Sequence, residues 1–449
     1  MCFNYNTLHT SFLINPVYLL ITLPRSSIDF LYLSRVLIAS KKTSTMRYLL
    51  LAALTLMILS CETSQKTKLK NGDYRATINV GGGKELPFNF KLKEDGNMEM
   101  YNAEEIIDAE EILYFNDSVR INFEVYEGYI SGKLVDGNLL GGKYIKESLD
   151  RVVSVKFEHG RTDRFLDLKP TDQNITGIWE MIFTEEDGST FKGKGIFEQQ
   201  GNEMTGTIRT TTGDYRYLEG AVSGKDLKLS VFDGAHAFLF TANVDGGKID
   251  NGTFHSGDHY QAKFSAIRNP NFELPNEDSL TYLKEGYDKF DFSFPNLDDE
   301  ITSLSDDRFN NKVVVVQIFG SWCPNCLDES RYYSAYYNHN NHPDLEFVAL
   351  AFEYAKTKES AIKGLNRFKE NIGIEYPILL AQFGSSDKTE AQKKVPMLNH
   401  VLSYPTTIII DKTGEVRKIH TGFNGPATRQ KYSDFKIEFE SFLDELLAE

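Results

Sequence analysis

Phe319-Gly320-Ser321-Trp322-Cys323-Pro324-Asn325-Cys326 follows directly on Val313-Val314-Val315-Val316-Gln317-Ile318, a short β-branched apolar run that reads as a buried strand. After it, Leu327-Asp328-Glu329-Ser330-Arg331-Tyr332-Tyr333 has helix composition. The two cysteines therefore sit where a strand ends and a helix begins. A thiolate at that point faces unpaired backbone N–H groups and the positive end of the helix dipole, and both favour the ionised form. Two intervening residues let the pair close a small disulfide ring within one helical turn. A structural zinc knuckle would need a second ligand pair, and no cysteine follows Cys326. Trp322 before the pair and Pro324 inside it argue against two inert buried thiols. The pattern is a redox Cys-x-x-Cys beside a βαβ unit.

Further along stands Tyr404-Pro405-Thr406-Thr407-Ile408-Ile409-Ile410-Asp411. Together with Trp322-Cys323-Pro324-Asn325-Cys326, it resembles the thioredoxin superfamily. The nearer match is the membrane-associated TlpA/ResA-like branch, often labelled together with the AhpC/TSA domain. The resemblance covers residues 286–449 and implies a thiol-disulfide oxidoreductase. It implies no cofactor beyond a redox-active Cys323–Cys326 disulfide, with protein thiols and disulfides as substrates and a membrane electron donor. Cys323, nearer the helix N-terminus, is the expected attacking thiol, and Cys326 the resolving one. Trp322 and Pro324 shape the site. Pro324 suits a first helical turn, where its missing N–H would be unpaired anyway. Pro405 matches the family's cis-proline, which faces the cysteines and lets the neighbouring backbone pair with a substrate chain. Tyr404 stands where many thioredoxins carry a small or β-branched residue. Glu353 matches an acidic residue that assists the cysteines' proton transfers in this branch, work that a partly buried carboxyl suits. Gly422-Phe423-Asn424-Gly425-Pro426 matches a loop of structural character. A peroxiredoxin would carry Thr three residues before its reactive cysteine; Gly320, Ser321 and Trp322 precede Cys323 instead.

The residues of 286–449 read as an edge strand and loop at Phe290–Asp298, the first core strand, the active-site helix and a second buried strand at Leu345–Phe352. A helix from Glu359 to Ile372 follows, then a short apolar run at Pro377–Leu380. Two strands, Thr406–Asp411 and Val416–His420, turn at Lys412-Thr413-Gly414, and a final helix runs from Tyr432 to Leu447. The order β-α-β-α-β-β-α predicts an α/β domain with a mixed sheet and helices on both faces.

At 449 residues with net charge −15, the chain has room for several cores and lacks a basic patch. That excludes nucleic acid and anionic membrane surfaces as partners. Its four cysteines, Cys2, Cys61, Cys323 and Cys326, leave one plausible disulfide pair. Met46-Arg47 and the apolar run to Ile58-Leu59-Ser60-Cys61 resemble a lipoprotein signal, residues 46–61, with lipidation at Cys61. The run is too short to span a bilayer comfortably. Residues 1–45 read as a non-native extension upstream of the true start, and 62–71 as a polar tether. The expected address is the cell envelope, on the oxidising side of the membrane, where disulfide chemistry fits.

Residues 72–170 and 171–268 show alternating strands broken by Gly, Asn and Asp, with a possible helical turn at Ala103–Ile107. Gly72-Asp73-Tyr74 parallels Gly177-Ile178-Trp179, and Val135-Asp136-Gly137 parallels Val244-Asp245-Gly246, at offsets of roughly 105 to 109 residues. Two related antiparallel units, each a small barrel or sandwich, or two halves of one larger structure, are expected before a linker at 269–285. His236, His255 and His259 are the metal candidates in this region. His255 and His259, four apart on a strand, would lie about 13 Å from each other, so no metal site is expected. The aromatics Tyr215, Tyr217, Phe232, Phe238 and Phe240 read as core. A reading of a different class makes these units the working end, binding a partner or glycan, with the C-terminal domain serving that assembly.

Overall fold

In the computed structural model, which describes residues 68–449 apart from residues 124 and 341, eight antiparallel strands between Gly72 and His159 close into a barrel. The expected extension, the signal with Cys61, and residues 62–67 lie outside the described residues. Strict alternation builds the wall: in Ser118–Phe123, Val119, Ile121 and Phe123 are buried while Ser118, Arg120 and Asn122 are not. Leu69, at the end of the expected tether, is already buried, and the Lys70 N–H donates to the Gly137 carbonyl at 3.0 Å.

The helical turn expected at Ala103–Ile107 is a hairpin instead. Ala103 takes a positive φ of 51°, and Asn102 pairs with Glu105 across the turn. The buried Asn102 side chain anchors it by donating to the Phe232 carbonyl at 2.8 Å, a long-range bond invisible to local pattern.

A second sheet of nine strands runs between Gly177 and Arg268. Its strand Thr190–Gln200 pairs with both Gly177–Thr184 and Glu203–Thr210, so the sheet also curls around a core. Trp179, Phe183, Phe240 and Phe254 fill it. The core of the first barrel takes in Phe232, Ala237 and Leu239 of the second sheet. Arg164, buried in the connector, donates to the carbonyls of Tyr101 and Ser230, one from each sheet. Among the described residues the whole of 68–449 belongs to one compact unit.

The C-terminal part holds a five-stranded sheet: β1 (Val313–Phe319), β2 (Leu345–Phe352), β3 (Ile378–Gln382), β4 (Thr406–Ile410) and β5 (Val416–Thr421), in the order β3-β2-β1-β4-β5. The pairs β1–β2 and β2–β3 are parallel; β1–β4 and β4–β5 are antiparallel. Every residue of β1 and β2 is buried, as covered central strands require. The helices are α1 (Pro324–Asn340), α2 (Lys358–Ile372), α3 (Lys388–Lys394) and α4 (Gln430–Ala448). Thr357 caps α2 in a reciprocal capping box with Ser360, and Gly373 ends it at φ 75°. The order is β-α-β-α-β-α-β-β-α, so β3 and α3 are added to the expected sequence of elements. A five-residue strand buried on both faces shows no alternation to read. The expected edge strand at Phe290–Asp298 shrinks to Ser293–Pro295, paired with Ile301–Ser303.

Candidate active site

Strand β1 delivers the chain to Gly320, the Cys323 N–H donates to the Gly320 carbonyl at 3.1 Å, and α1 starts at Pro324. Helix start and dithiol thus coincide. The Cys326 N–H donates to Cys323 Sγ at 3.3 Å, and Cys323 Sγ lies 3.4 Å from the Tyr404 carbonyl, to which it can donate. Both cysteines are free thiols. Cys323 is 6% exposed and Cys326 fully buried. Burial pushes the Cys326 thiol well up, and its contact with Cys323 adds to that.

The Tyr404–Pro405 bond is cis, and β4 carries it up to the dithiol. Trp322 stands edge-on to Tyr404 with centroids 5.5 Å apart, lies 5.7 Å from Tyr354, and donates from Nε1 to the Phe352 carbonyl at 3.0 Å. These contacts hold the indole as a wall beside Cys323.

Glu353 follows β2 and is buried. Its carboxyl accepts from the Ser321 N–H and Ser321 Oγ, each at 2.8 Å. Its direct bonds therefore go to the loop two residues ahead of Cys323. Burial pushes it up to about 7, against the pull of the Ser321 bonds. Sequence reading passed over a second acid, Glu329. It is fully buried in α1 and accepts from Gln317 Nε2 at 2.7 Å and Thr407 Oγ1 at 3.0 Å. Burial pushes it, too, up to about 7, and its charge acts on Cys326. The signal was present: a carboxylate three residues after Cys326 shares its helix face.

The second β unit reaches the dithiol, a contact that local sequence does not carry. Its segment Thr212-Gly213-Asp214 lies against the active-site loops. Asn325 Nδ2 donates to the carbonyls of Asp214 and Phe423 at 3.1 and 3.0 Å, and Ser403 Oγ donates to the Thr212 carbonyl at 2.9 Å. The Asp214 N–H meets the Phe423 carbonyl at 3.3 Å, and Asp214 Oδ2 accepts from the Gly425 N–H at 2.6 Å. Two glycines permit this approach. A Cβ on Gly213 would lie 2.3 Å from Asn325 Nδ2, and one on Gly422 would lie 2.7 Å from Thr212 backbone. Next to them, buried Arg216 bonds Asp328 of α1 and Glu105 of the first barrel, and its Nε lies 3.8 Å from Asp233 Oδ2. Burial pushes Asp328 up while Arg216 pulls it down. Gly213→Val is expected to lift this segment and raise the rate of Cys323 alkylation by iodoacetamide several-fold; an unchanged rate would mean the segment does not shield the thiol.

The histidines fall elsewhere. His255 and His259 flank a hairpin turn between Lys248–Ser256 and Tyr260–Arg268, so the distance expected on one continuous strand does not apply. His255 is buried, and burial pushes it down; His259 and His236 line a cavity described below. No cluster of three or more metal-ligating side chains occurs among the described residues. Among them, no helix is long and apolar enough to cross a membrane.

Residues 286–419 match the AhpC/TSA family. "Thioredoxin-like protein YneN" of Bacillus subtilis is 30% identical over 141 residues, covering 31% of this chain and 73% of that protein. "Thiol-disulfide oxidoreductase ResA" of Geobacillus kaustophilus is 29% identical over 132 residues, 29% of this chain and just under two thirds, 66%, of that protein. A solved thiol-disulfide oxidoreductase from Bacteroides fragilis aligns at 20% identity and a TM-score of 0.24, over 32% of this chain and 96% of that one. A dithiol at a strand–helix turn beside a cis-proline, together with these sequence matches, makes the chain a member of the AhpC/TSA family of thioredoxin-like thiol-disulfide oxidoreductases.

Proposed function

We propose that the chain exchanges disulfides with protein substrates through Cys323 and Cys326, acting as a reductase on the oxidising side of a membrane. The observation that carries this is the placement of the two cysteines at the head of α1, with the Cys326 N–H on Cys323 Sγ at 3.3 Å. That N–H stabilises negative charge on Cys323 as it attacks. The Cys323 thiolate attacks one sulfur of the substrate disulfide, and the other leaves as a thiolate that takes up a proton. Cys326 then gives up its proton and attacks Cys323 Sγ, so the substrate leaves as a dithiol and the enzyme keeps the two-electron oxidised disulfide. Burial makes the Cys326 proton hard to remove, so this step needs a base. Glu353 and Glu329, both held near 7, are the nearby carboxyls suited to it. Regeneration needs an external dithiol donor, consistent with a membrane electron source. Tyr404 and cis-Pro405 form the groove edge for the substrate chain. Cys61 is the proposed lipid anchor in the cell envelope; a Cys61→Ser protein that stays with the membrane fraction would refute it.

The reading is tested by insulin reduction with the full chain and a dithiol donor. Turnover is expected; none would return the β units to first place as a binding module.

Glu353→Gln keeps both Ser321 contacts, because an amide can accept from the N–H and donate to Oγ. The wild-type carboxyl titrates near 7 folded and near 4.5 unfolded. The folded state therefore holds the proton through that window, and this contribution to stability is complete below about 4.5 and lost as pH rises to 7. The glutamine variant is expected to lack that loss, gaining up to about 3 kcal/mol over wild type between pH 4.5 and 7.5 in urea unfolding. A pH-independent difference would contradict the buried, titrating carboxyl.

A further inference from the structure

A cavity of about 300 Å³ opens where the three parts of the chain meet. Trp322 and Tyr354 form its C-terminal wall, Lys146 and Arg151 come from the first barrel, and His236 and His259 from the second sheet. Tyr144, Leu149 and Val153 complete an apolar flank. Cys323 does not line it; the indole of the preceding residue, Trp322, is the wall that the cavity shares with the dithiol site.

Its charge is one-sided. Among the described residues no Asp or Glu lines it, whereas Lys146 and Arg151 do. Lys146 is 8% exposed and makes no ion pair among the described residues. Its ammonium donates to the Ala235 carbonyl at 2.5 Å and faces the Tyr144 ring at 5.8 Å. Burial pushes it down to about 8, with Arg151 also disfavouring the charge and Asp233 supporting it. A buried ammonium without a carboxylate partner is costly, and an arriving anion would relieve that cost. The neighbouring carboxylates are spoken for. Asp258 is 3.9 Å from both Arg151 and His259, Asp233 lies against His236 and Arg216, and Glu127, which also supports the Lys146 charge, accepts from Ser148 Oγ at 2.5 Å. The volume matches the low end of small-ligand sites, enough for a short side chain or the end of a small disulfide.

We propose that this cavity receives a carboxylate carried near the disulfide of the substrate, so that acidic disulfides are preferred. The inference rests on the exchange reaction proposed above and names its substrate class. The electron balance is unchanged: the Cys323–Cys326 dithiol is oxidised, the substrate disulfide becomes two thiols, and the two thiol protons end on the products. The carboxylate takes no part in the bond changes.

The test follows oxidation of the pre-reduced full chain by loss of free thiol. The substrates are neutral 2-hydroxyethyl disulfide, oxidised glutathione, and one peptide disulfide made with Glu or with Gln beside its cysteine. The acidic substrates are expected to react about tenfold faster than their neutral counterparts. Arg151→Gln and Lys146→Met should each erase much of that preference while leaving the rate with 2-hydroxyethyl disulfide unchanged. Arg151 is the safer variant, its side chain being 22% exposed. A preference for glutathione alone identifies a small-molecule source of the carboxylate, and a preference for the Glu peptide identifies a peptide source; either supports the proposal. Equal rates for acidic and neutral substrates, or a preference untouched in Arg151→Gln, would overturn it. No reaction with any of the disulfides would instead refute the exchange reaction on which it rests.

Discussion

Cys323→Ser is expected to lower disulfide exchange on the order of 10³-fold or more, because a serine hydroxyl at that point is no nucleophile toward sulfur. The fold should survive: the side chain is small, and the oxygen can keep both the Cys326 N–H and the Tyr404 carbonyl within reach. Cys326→Ser separates the steps. Attack by Cys323 remains, but the resolving thiol is gone, so mixed disulfides should accumulate and appear as a mass increase under non-reducing conditions. The order of attack follows from burial. Cys326 has no exposed surface, and Cys323 retains a little. Full activity in Cys323→Ser, or trapping by Cys323 and Cys326 variants alike, would refute the assignment.

Arg216→Met is expected to cost about 3–5 kcal/mol of stability, the range for removing one partner from a buried ion pair. Arg216 is 6% exposed, and it is the cation facing Asp328, Glu105 and Asp233 together. Removing it leaves three carboxylates in a poorly solvated seam. Each belongs to a different part of the chain, so the loss should show as a splitting of the urea transition, the C-terminal part separating from the β units. Arg216→Lys should not restore stability, because one ammonium cannot present the guanidinium's fork of donors to all three. Combining Arg216→Met with Asp328→Asn should recover part of the loss, since one stranded charge is gone. If Arg216→Met unfolds at the same urea concentration as wild type, the seam does not hold the parts together.

The dithiol was legible in the chain because its chemistry is local. A strand end, a helix start and two cysteines three positions apart lie in one continuous stretch, and the β-branched run before them has no competing reading. Pro405 was legible through a motif rather than a period, and the cis bond at Tyr404 occurs where that motif stands. Glu353 was found as a residue, yet its contacts were not: its carboxyl bonds Ser321, and only the packing of β2 beside β1 brings the two together. Glu329 was overlooked because a glutamate early in a helix ordinarily faces water. Here α1 turns that face onto β1 and β4, where Gln317 and Thr407 receive it. The strand β3 and the hairpin at Ala103 were missed for related reasons. One lacks alternation because both its faces are covered, and the other is fixed by a side chain bonding to residue 232.

The sequence by itself determined that this protein carries a Cys-x-x-Cys at a helix N-terminus, behind a β-rich region, because hydrophobic period and turn chemistry act over a few residues; the cis bond at Pro405 was implied only by the family resemblance. Tertiary structure alone decided how open that pair is and what surrounds it. Thr212–Arg216 reaches Asn325 and Phe423 from more than a hundred residues away, permitted by glycine at 213 and 422. The basic cavity beside Trp322 draws its lining from three separate parts of the chain. Such contacts are written in no local pattern, since they follow from which surfaces bury each other when the parts close.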